Sequence, residues 1–298
     1  MDKLERDKTK KTKQVLVTQN MTACKVGMYQ QCSMTKALKT SFVNNFNPGE
    51  VQNICDVLVV NQHVLDVIVE FCDKGLSPQY RDGWMNPVAM CAVNRNDFTA
   101  TNFNQSEGIT DDIYNLRTNY NLIGYQGNPF PIKDKECVYN RFITVIRDKN
   151  FTAIPLPLTY RFAVITTSPE HKPALIDESR MASTNFLNML STLETVFQTA
   201  IYYGHNILLL TPIGQTDDEV PQEDIIKIYN SLIFKYQHKF KYIIVCVPEW
   251  NGTELFDMYD TYIVQPQKLC EENEEANFTM KMKIKNNKSS SKPKKSNK

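Results

Sequence analysis

No apolar run in this 298-residue chain approaches the roughly 18–20 residues of a membrane-spanning helix, which argues against a helical span. The first residues, MDKLERDKTKKTK, are charged and hold no apolar segment, so they do not read as a secretory signal. The eight cysteines include no C-x-x-C pair. Without a secretory signal they read as reduced thiols, and Cys91 and Cys246 sit in apolar runs where a thiol packs as a small hydrophobe. Histidine is scarce, four in all, and none is paired at metal-ligand spacing. Neither a metal nor a cofactor is therefore expected. The expected setting is intracellular, cytoplasmic or nuclear, where the sequon at Asn251 carries no sugar.

A net charge of +1 hides a segregation. Residues 279–298 hold eight lysines and no acid, and residues 1–13 hold six basic and three acidic residues. The remainder has 20 basic and 30 acidic residues, a balance near −10. An acidic body is a poor general binder of nucleic acid, because phosphate neutralisation dominates that affinity. The Lys/Ser/Asn-rich end has too little apolar content to order itself. It reads as a solvated tail, or as a patch for a polyanion or a nuclear-import receptor. The expected organisation is a flexible basic stretch over 1–13, one domain over 14–270 and a disordered tail over 271–298.

Between the ends, strand and helix patterns alternate. The strands are Asp56–Val60, Pro87–Val93, Arg141–Ile146, Phe162–Thr166, Asn206–Leu210 and Tyr242–Val247. Several are apolar on both faces, as in a sheet covered by helices on each side. Helical spacing appears over His63–Lys74, from Ile109 to Tyr120, over Met181–Tyr203 and over Pro221–Tyr236. The third of these carries one apolar stripe, from Phe186 through Leu193 and Phe197 to Ile201, and Gly204 stands where a helix stops. The pattern predicts a three-layer α/β/α sandwich around a mixed, largely parallel sheet. Ligands bind such sheets at the C-terminal strand ends. That directs attention to the loops Asn94–Gly108 and Thr211–Val220.

The first of these loops runs into a helix opening on Asp111 and Asp112. Two adjacent carboxylates can serve glycoside chemistry, one as acid and its conjugate base as water activator. They can equally complement a helix dipole, with Thr110 as N-cap. Asn94 suits a ribose or base contact, or a turn. Arg117-Thr118-Asn119 reads as structural, with Arg117 paired to an acid, and Arg147-Asp148 as a surface pair.

Six segments, in order, resemble the microbial-type poly(ADP-ribose) glycohydrolases, a branch of the macrodomain superfamily, over about residues 50–265. DVLVVNQHVLDVIVEFCDKG is similar to the family's V-x-N-Q-D-x-L strand and helix. PVAMCAV is similar to P-x-V-L-N-x-A-S, and TDDIYNLRTNY to Q-E-E-x-L-x-x-R-T-N. VYNRFITVIRD, FAVITTSPEHKP and YYGHNILLLTPIG are similar to three later segments of the family. The resemblance implies a macrodomain-like fold, ADP-ribose or an ADP-ribosylated protein as partner, and Asp111 and Asp112 in the place of the paired catalytic glutamates. It further implies ligand contacts from Asn94, Thr101, Asn102, Gly214 and Gln215.

The chain departs from the pattern in both loops. Where the family has a run of glycines, this sequence reads Asp97-Phe-Thr-Ala-Thr-Asn102. Where it has G-C-G-x-F-G-N, this sequence reads Gly214-Gln-Thr-Asp-Asp-Glu-Val220. Glycine lets backbone N–H groups close on a phosphate, and larger residues obstruct that approach. Each like charge placed ~4 Å from a diphosphate costs about 1–4 kcal/mol. Aspartate is also roughly 1.5 Å shorter than glutamate. The sequence therefore points to a divergent, weakly binding ADP-ribose module. Its alternatives are an active hydrolase using Asp111 and Asp112, and a protein-interaction scaffold without a small ligand.

Overall fold

The computed structural model describes residues 3–26, 37–42, 46–47, 55–76, 86–93, 112–120, 129–155, 160–170, 172–177, 179–214, 220–248 and 254–263. The chain divides into two units, Met1–Ile263 and Val264–Lys298, and the second lies outside the described residues. The elements are α1 (Lys3–Lys25), β1 (Ala37–Thr40), β2 (Asp56–Val60), α2 (Val64–Leu76), β3 (Pro87–Ala92) and α3 (Asp112–Arg117). They continue with β4 (Cys137–Val145), β5 (Tyr160–Thr167), the hairpin β6 (Leu175–Asp177) and β7 (Arg180–Met181), and α4 (Ser183–Tyr202). The last are β8 (Ile207–Leu210), α5 (Gln222–Tyr236), β9 (Tyr242–Cys246) and α6 (Glu254–Tyr262).

Among the described residues, seven strands form one sheet in the order β1-β4-β5-β3-β8-β9-β2. Strand β4 runs against both its neighbours, and β5, β3, β8, β9 and β2 are parallel. Alternate residues of the central strands feed two cores. Val88, Met90, Leu208, Leu210, Ile243 and Val245 pack with apolar residues of α4, α5 and α6. Ala89, Cys91, Ile207, Leu209, Ile244 and Cys246 pack with α2 and α3. Burial on both faces is why these strands are apolar throughout, and the result is the three-layer sandwich that the sequence pattern predicts.

Helix α4 follows its apolar stripe, with Met189, Leu193, Val196, Phe197 and Ala200 buried. Gly204 adopts φ +72°, a left-handed turn that favours glycine. Its N–H donates to Ile201 O at 3.0 Å, and the His205 N–H donates to Ala200 O at 2.9 Å, the paired bonds of a Schellman stop. Helix α2, by contrast, runs through Gly75 to Leu76, since one glycine costs only about 1 kcal/mol within a helix.

The N-terminal stretch is helical from Lys3, in α1. Past the charged stretch, Leu16, Val17 and Met21 pack with Leu116 and Phe151, so tertiary burial holds the helix. Arg147 is not in a surface pair with Asp148. Its Nε donates to Asn20 Oδ1 at 2.7 Å, while Asp148 Oδ1 accepts the Asn150 and Thr152 N–H groups. Cys24, Cys55, Cys91, Cys137 and Cys246 are buried free thiols. Burial pushes the Cys55 thiol up to about 12, which keeps it protonated and inert. Among the described residues, no helix is long and apolar enough to cross a membrane, and no group of three potential ligands could hold a metal.

Candidate functional site

Strands β3 and β8 are hydrogen-bonded neighbours, with Ala89 beside Leu209. The two loops singled out in the sequence therefore leave the C-terminal ends of adjacent strands in the middle of the sheet. Pairing continues just past β3, where the Val93 N–H donates to Thr167 O at 2.9 Å. The chain re-enters description at α3, whose first residue is Asp112. Asn94, Thr101, Asn102, Asp111 and Gln215 lie outside the described residues, and so does the Asp112 side chain.

Helix α3 is short, and its place is set by side chains rather than by its own length. The Tyr114 hydroxyl donates to Met90 O of β3 at 3.3 Å, and its ring lies 5.5 Å from that of Tyr120. The Thr118 hydroxyl donates to Tyr114 O at 2.6 Å and accepts the Tyr120 N–H at 3.0 Å, closing the helix end. Tyr120 in turn shares a 2.7 Å hydrogen bond with the Thr166 hydroxyl of β5. Arg117 Nη2 meets Asp66 Oδ1 of α2 at 2.8 Å, the pairing with an acid that the sequence suggested. From α1, the Asn20 amide donates to Leu116 O at 2.9 Å. The far end of α3 is thus tied to β3, β5, α2 and α1.

The loop after β8 begins at Thr211 and turns at Gly214, whose φ of +70° explains why glycine stands there. Its two stems converge on one side chain. Gln222 Nε2, at the start of α5, donates to Ile213 O at 2.7 Å and to Val220 O at 3.0 Å. The Tyr259 hydroxyl of α6 donates to Gln222 Oε1 at 2.9 Å, and the Tyr229 hydroxyl donates to Thr211 O at 2.7 Å. Burial raises the pKa of both tyrosines, so both remain donors at any physiological pH.

Next to the end of β3, the buried Thr167 hydroxyl finds no hydrogen-bond partner. An unsatisfied buried hydroxyl costs about 1–3 kcal/mol. Thr167→Val, which keeps the shape and removes the polar atom, is expected to raise the Tm by about 2–4 °C. A melting curve unchanged or lowered would mean that the hydroxyl is satisfied in solution.

The sequence pointed to Asp112 and Gly214; Asp112 is the first residue of α3, and Gly214 turns the loop after β8. It did not point to Gln222, Tyr229, Tyr259, Tyr114 or Asn20. Four of these act between segments far apart in sequence, and Gln222, though close to both stems, looks like any polar first-turn residue.

No family model matches the chain, and no curated protein matches it. Solved structures do. Poly(ADP-ribose) glycohydrolase from Thermomonospora curvata has 10% identity and a TM-score of 0.65, covering 84% of this chain and 99% of that one. The Deinococcus radiodurans enzyme in complex with ADP-ribose has 11% identity and a TM-score of 0.61, covering 82% and 98%. The T. curvata enzyme bound to the inhibitor ADP-HPD has 11% identity and a TM-score of 0.58, covering 83% and 98%. At such identities the likeness establishes the fold: this chain has the macrodomain-like α/β architecture of the microbial poly(ADP-ribose) glycohydrolases.

Proposed function

We propose that the protein is a divergent ADP-ribose-recognising module, binding ADP-ribose or an ADP-ribosylated protein weakly. The observation that carries this reading is the fold shared with an enzyme solved in complex with ADP-ribose. Two loops leaving adjacent strand ends support it, since parallel sheets bind ligands there. In this reading Asn94, Thr101, Asn102, Gly214 and Gln215 contact the ligand, and Asp111 and Asp112 occupy the acid positions. The carboxylates of Asp217, Asp218 and Glu219 weaken a diphosphate, each by up to a few kcal/mol of the ~8 kcal/mol that micromolar affinity represents. The Lys-rich end adds contact with a polyanion, and that part of the affinity should fall steeply with salt.

The acidic pair favours a second reading, in which the protein hydrolyses ADP-ribosyl bonds. Shortening glutamate to aspartate, by one methylene, can cost ~10²-fold in rate, so such turnover is slow. Calorimetric titration of the full chain with ADP-ribose is the test. A dissociation constant weaker than about 10 µM is expected. Absence of heat at millimolar ligand would leave a scaffold without a small ligand. Release of ADP-ribose from polymer, abolished by Asp111→Asn or Asp112→Asn, would establish the hydrolase instead.

A further inference from the structure

Gln222 is well suited to hold a loop mouth. Its single amide nitrogen carries two hydrogens, and each goes to a carbonyl on a different stem, Ile213 O at 2.7 Å and Val220 O at 3.0 Å. Ile213 and Val220 are both buried, so their carbonyls need a protein partner. An amide can be flipped to present oxygen instead of nitrogen, which would turn attraction into repulsion. Tyr259 prevents this. Its ring is fully buried and its hydroxyl, held protonated by that burial, donates to Gln222 Oε1 at 2.9 Å. Two independent features mark the same loop. Tyr229, also fully buried, donates to Thr211 O, and Gly214 holds a left-handed φ of +70°. Three side chains from α5 and α6 thus converge on the backbone of one short segment.

We propose that Gln222 is a positioning residue for the ligand loop after β8, oriented by Tyr259, and that it sets the spacing of the two stems before any ligand arrives. This rests on the ADP-ribose reading for what the loop binds, but not for the restraint itself. Preorganisation lowers the ordering cost of binding, which matters most where the loop has lost glycines and gained acids. Helix α6 thereby contributes to the site through Gln222.

The test uses the full chain as wild type, Gln222→Glu, Tyr259→Phe and Asn230→Ala. Gln222→Glu keeps the acceptor for Tyr259 and loses both donors, with little change of shape. Asn230→Ala removes a bond between α5 and α6, Asn230 Nδ2 to Tyr262 O at 2.8 Å, that does not involve the loop. It controls for general loosening of those helices. Two measurements are made beside the Tm. One is ADP-ribose affinity. The other is the rate at which a Glu/Asp-specific protease cuts at residues 217–219, followed by mass spectrometry.

Gln222→Glu is expected to weaken ADP-ribose about tenfold and to speed loop cleavage about tenfold, the scale of two lost hydrogen bonds. Asn230→Ala should change neither by more than about twofold at a similar loss of Tm. Tyr259→Phe should give an intermediate effect, and it replaces Gln222→Glu if that variant does not fold. Cleavage within about twofold of wild type in both loop variants overturns the proposal, as does cleavage that simply follows Tm across all variants. If the wild type itself binds no ADP-ribose, the functional reading falls and the cleavage rates alone decide the role of Gln222.

Discussion

Replacing Asp66 with alanine is expected to destabilise the protein by about 3 kcal/mol, seen as a fall in Tm of about 6–12 °C. The effect comes from the residue left behind. The Arg117 side chain is 5% exposed and Asp66 is 36% exposed, with 2.8 Å between Nη2 and Oδ1. Without Asp66 the guanidinium stays buried with no acid beside it among the described residues, keeping the bond from Nε to Arg147 O at 3.3 Å. Removing one member of a buried pair costs about 3–5 kcal/mol, and the partial exposure of Asp66 puts this case at the lower end. The double variant Asp66→Leu with Arg117→Met should recover most of the loss, since it leaves no unpaired charge. Denaturant unfolding of the two single variants and the double would measure the coupling. A loss below about 1 kcal/mol in Asp66→Ala would show that water or the backbone carbonyl replaces the acid. Because Arg117 ends α3, the same substitution should also loosen the helix that Asp112 opens.

Acidification from pH 7 to pH 4 is expected to remove about 3 kcal/mol of stability through His205 alone. The side chain is 4% exposed at the stop of α4. Its ring lies between the Tyr139 hydroxyl, 2.9 Å from Nε2, and Asn86 O, 3.1 Å from Nδ1. Burial is the largest cause that depresses its pKa, from 6.5 to about 4, against the opposing pull of the Asn86 carbonyl. The folded state therefore favours the neutral ring. Its contribution is present above the unfolded value of about 6.5 and is lost as pH falls through that value toward 4. The full difference, about 2.5 pKa units, corresponds to about 3 kcal/mol. His205→Gln should flatten this part of the acid limb. Parallel acid limbs for variant and wild type in denaturant titrations between pH 4 and 7 would dismiss the mechanism.

Particular elements show how far the sequence could be read. Helix α4 was legible to within about two residues, because its stripe recurs with the helical period and Gly204 supplies a local stop. Strands β3, β8 and β9 were legible for a similar reason, since burial on both faces demands uninterrupted apolar residues. Strand β1, the β6–β7 hairpin and α6 were missed. The first two are only four, three and two residues long, too short for a period to declare itself. Helix α1 was half hidden by its charge, since its stability derives from Leu116 and Phe151, about a hundred residues away or more.

For the site, local chemistry named the acid opening α3 and the structural role of Arg117. The acid that Arg117 would pair with was not named, since Asp66 lies on another helix and no local rule selects it. The amino-acid order alone determined the alternation of strands and helices, the fold class and the segregation of charge. Those follow from periodicity and composition, which act between neighbours along the chain. Only the tertiary structure decided that the two candidate loops leave adjacent strands, that Asn20 and Arg117 anchor α3, and that Gln222 joins both stems under the direction of Tyr259. These depend on strand order and on contacts between distant residues, where the free energy comes from a geometry that no local segment specifies.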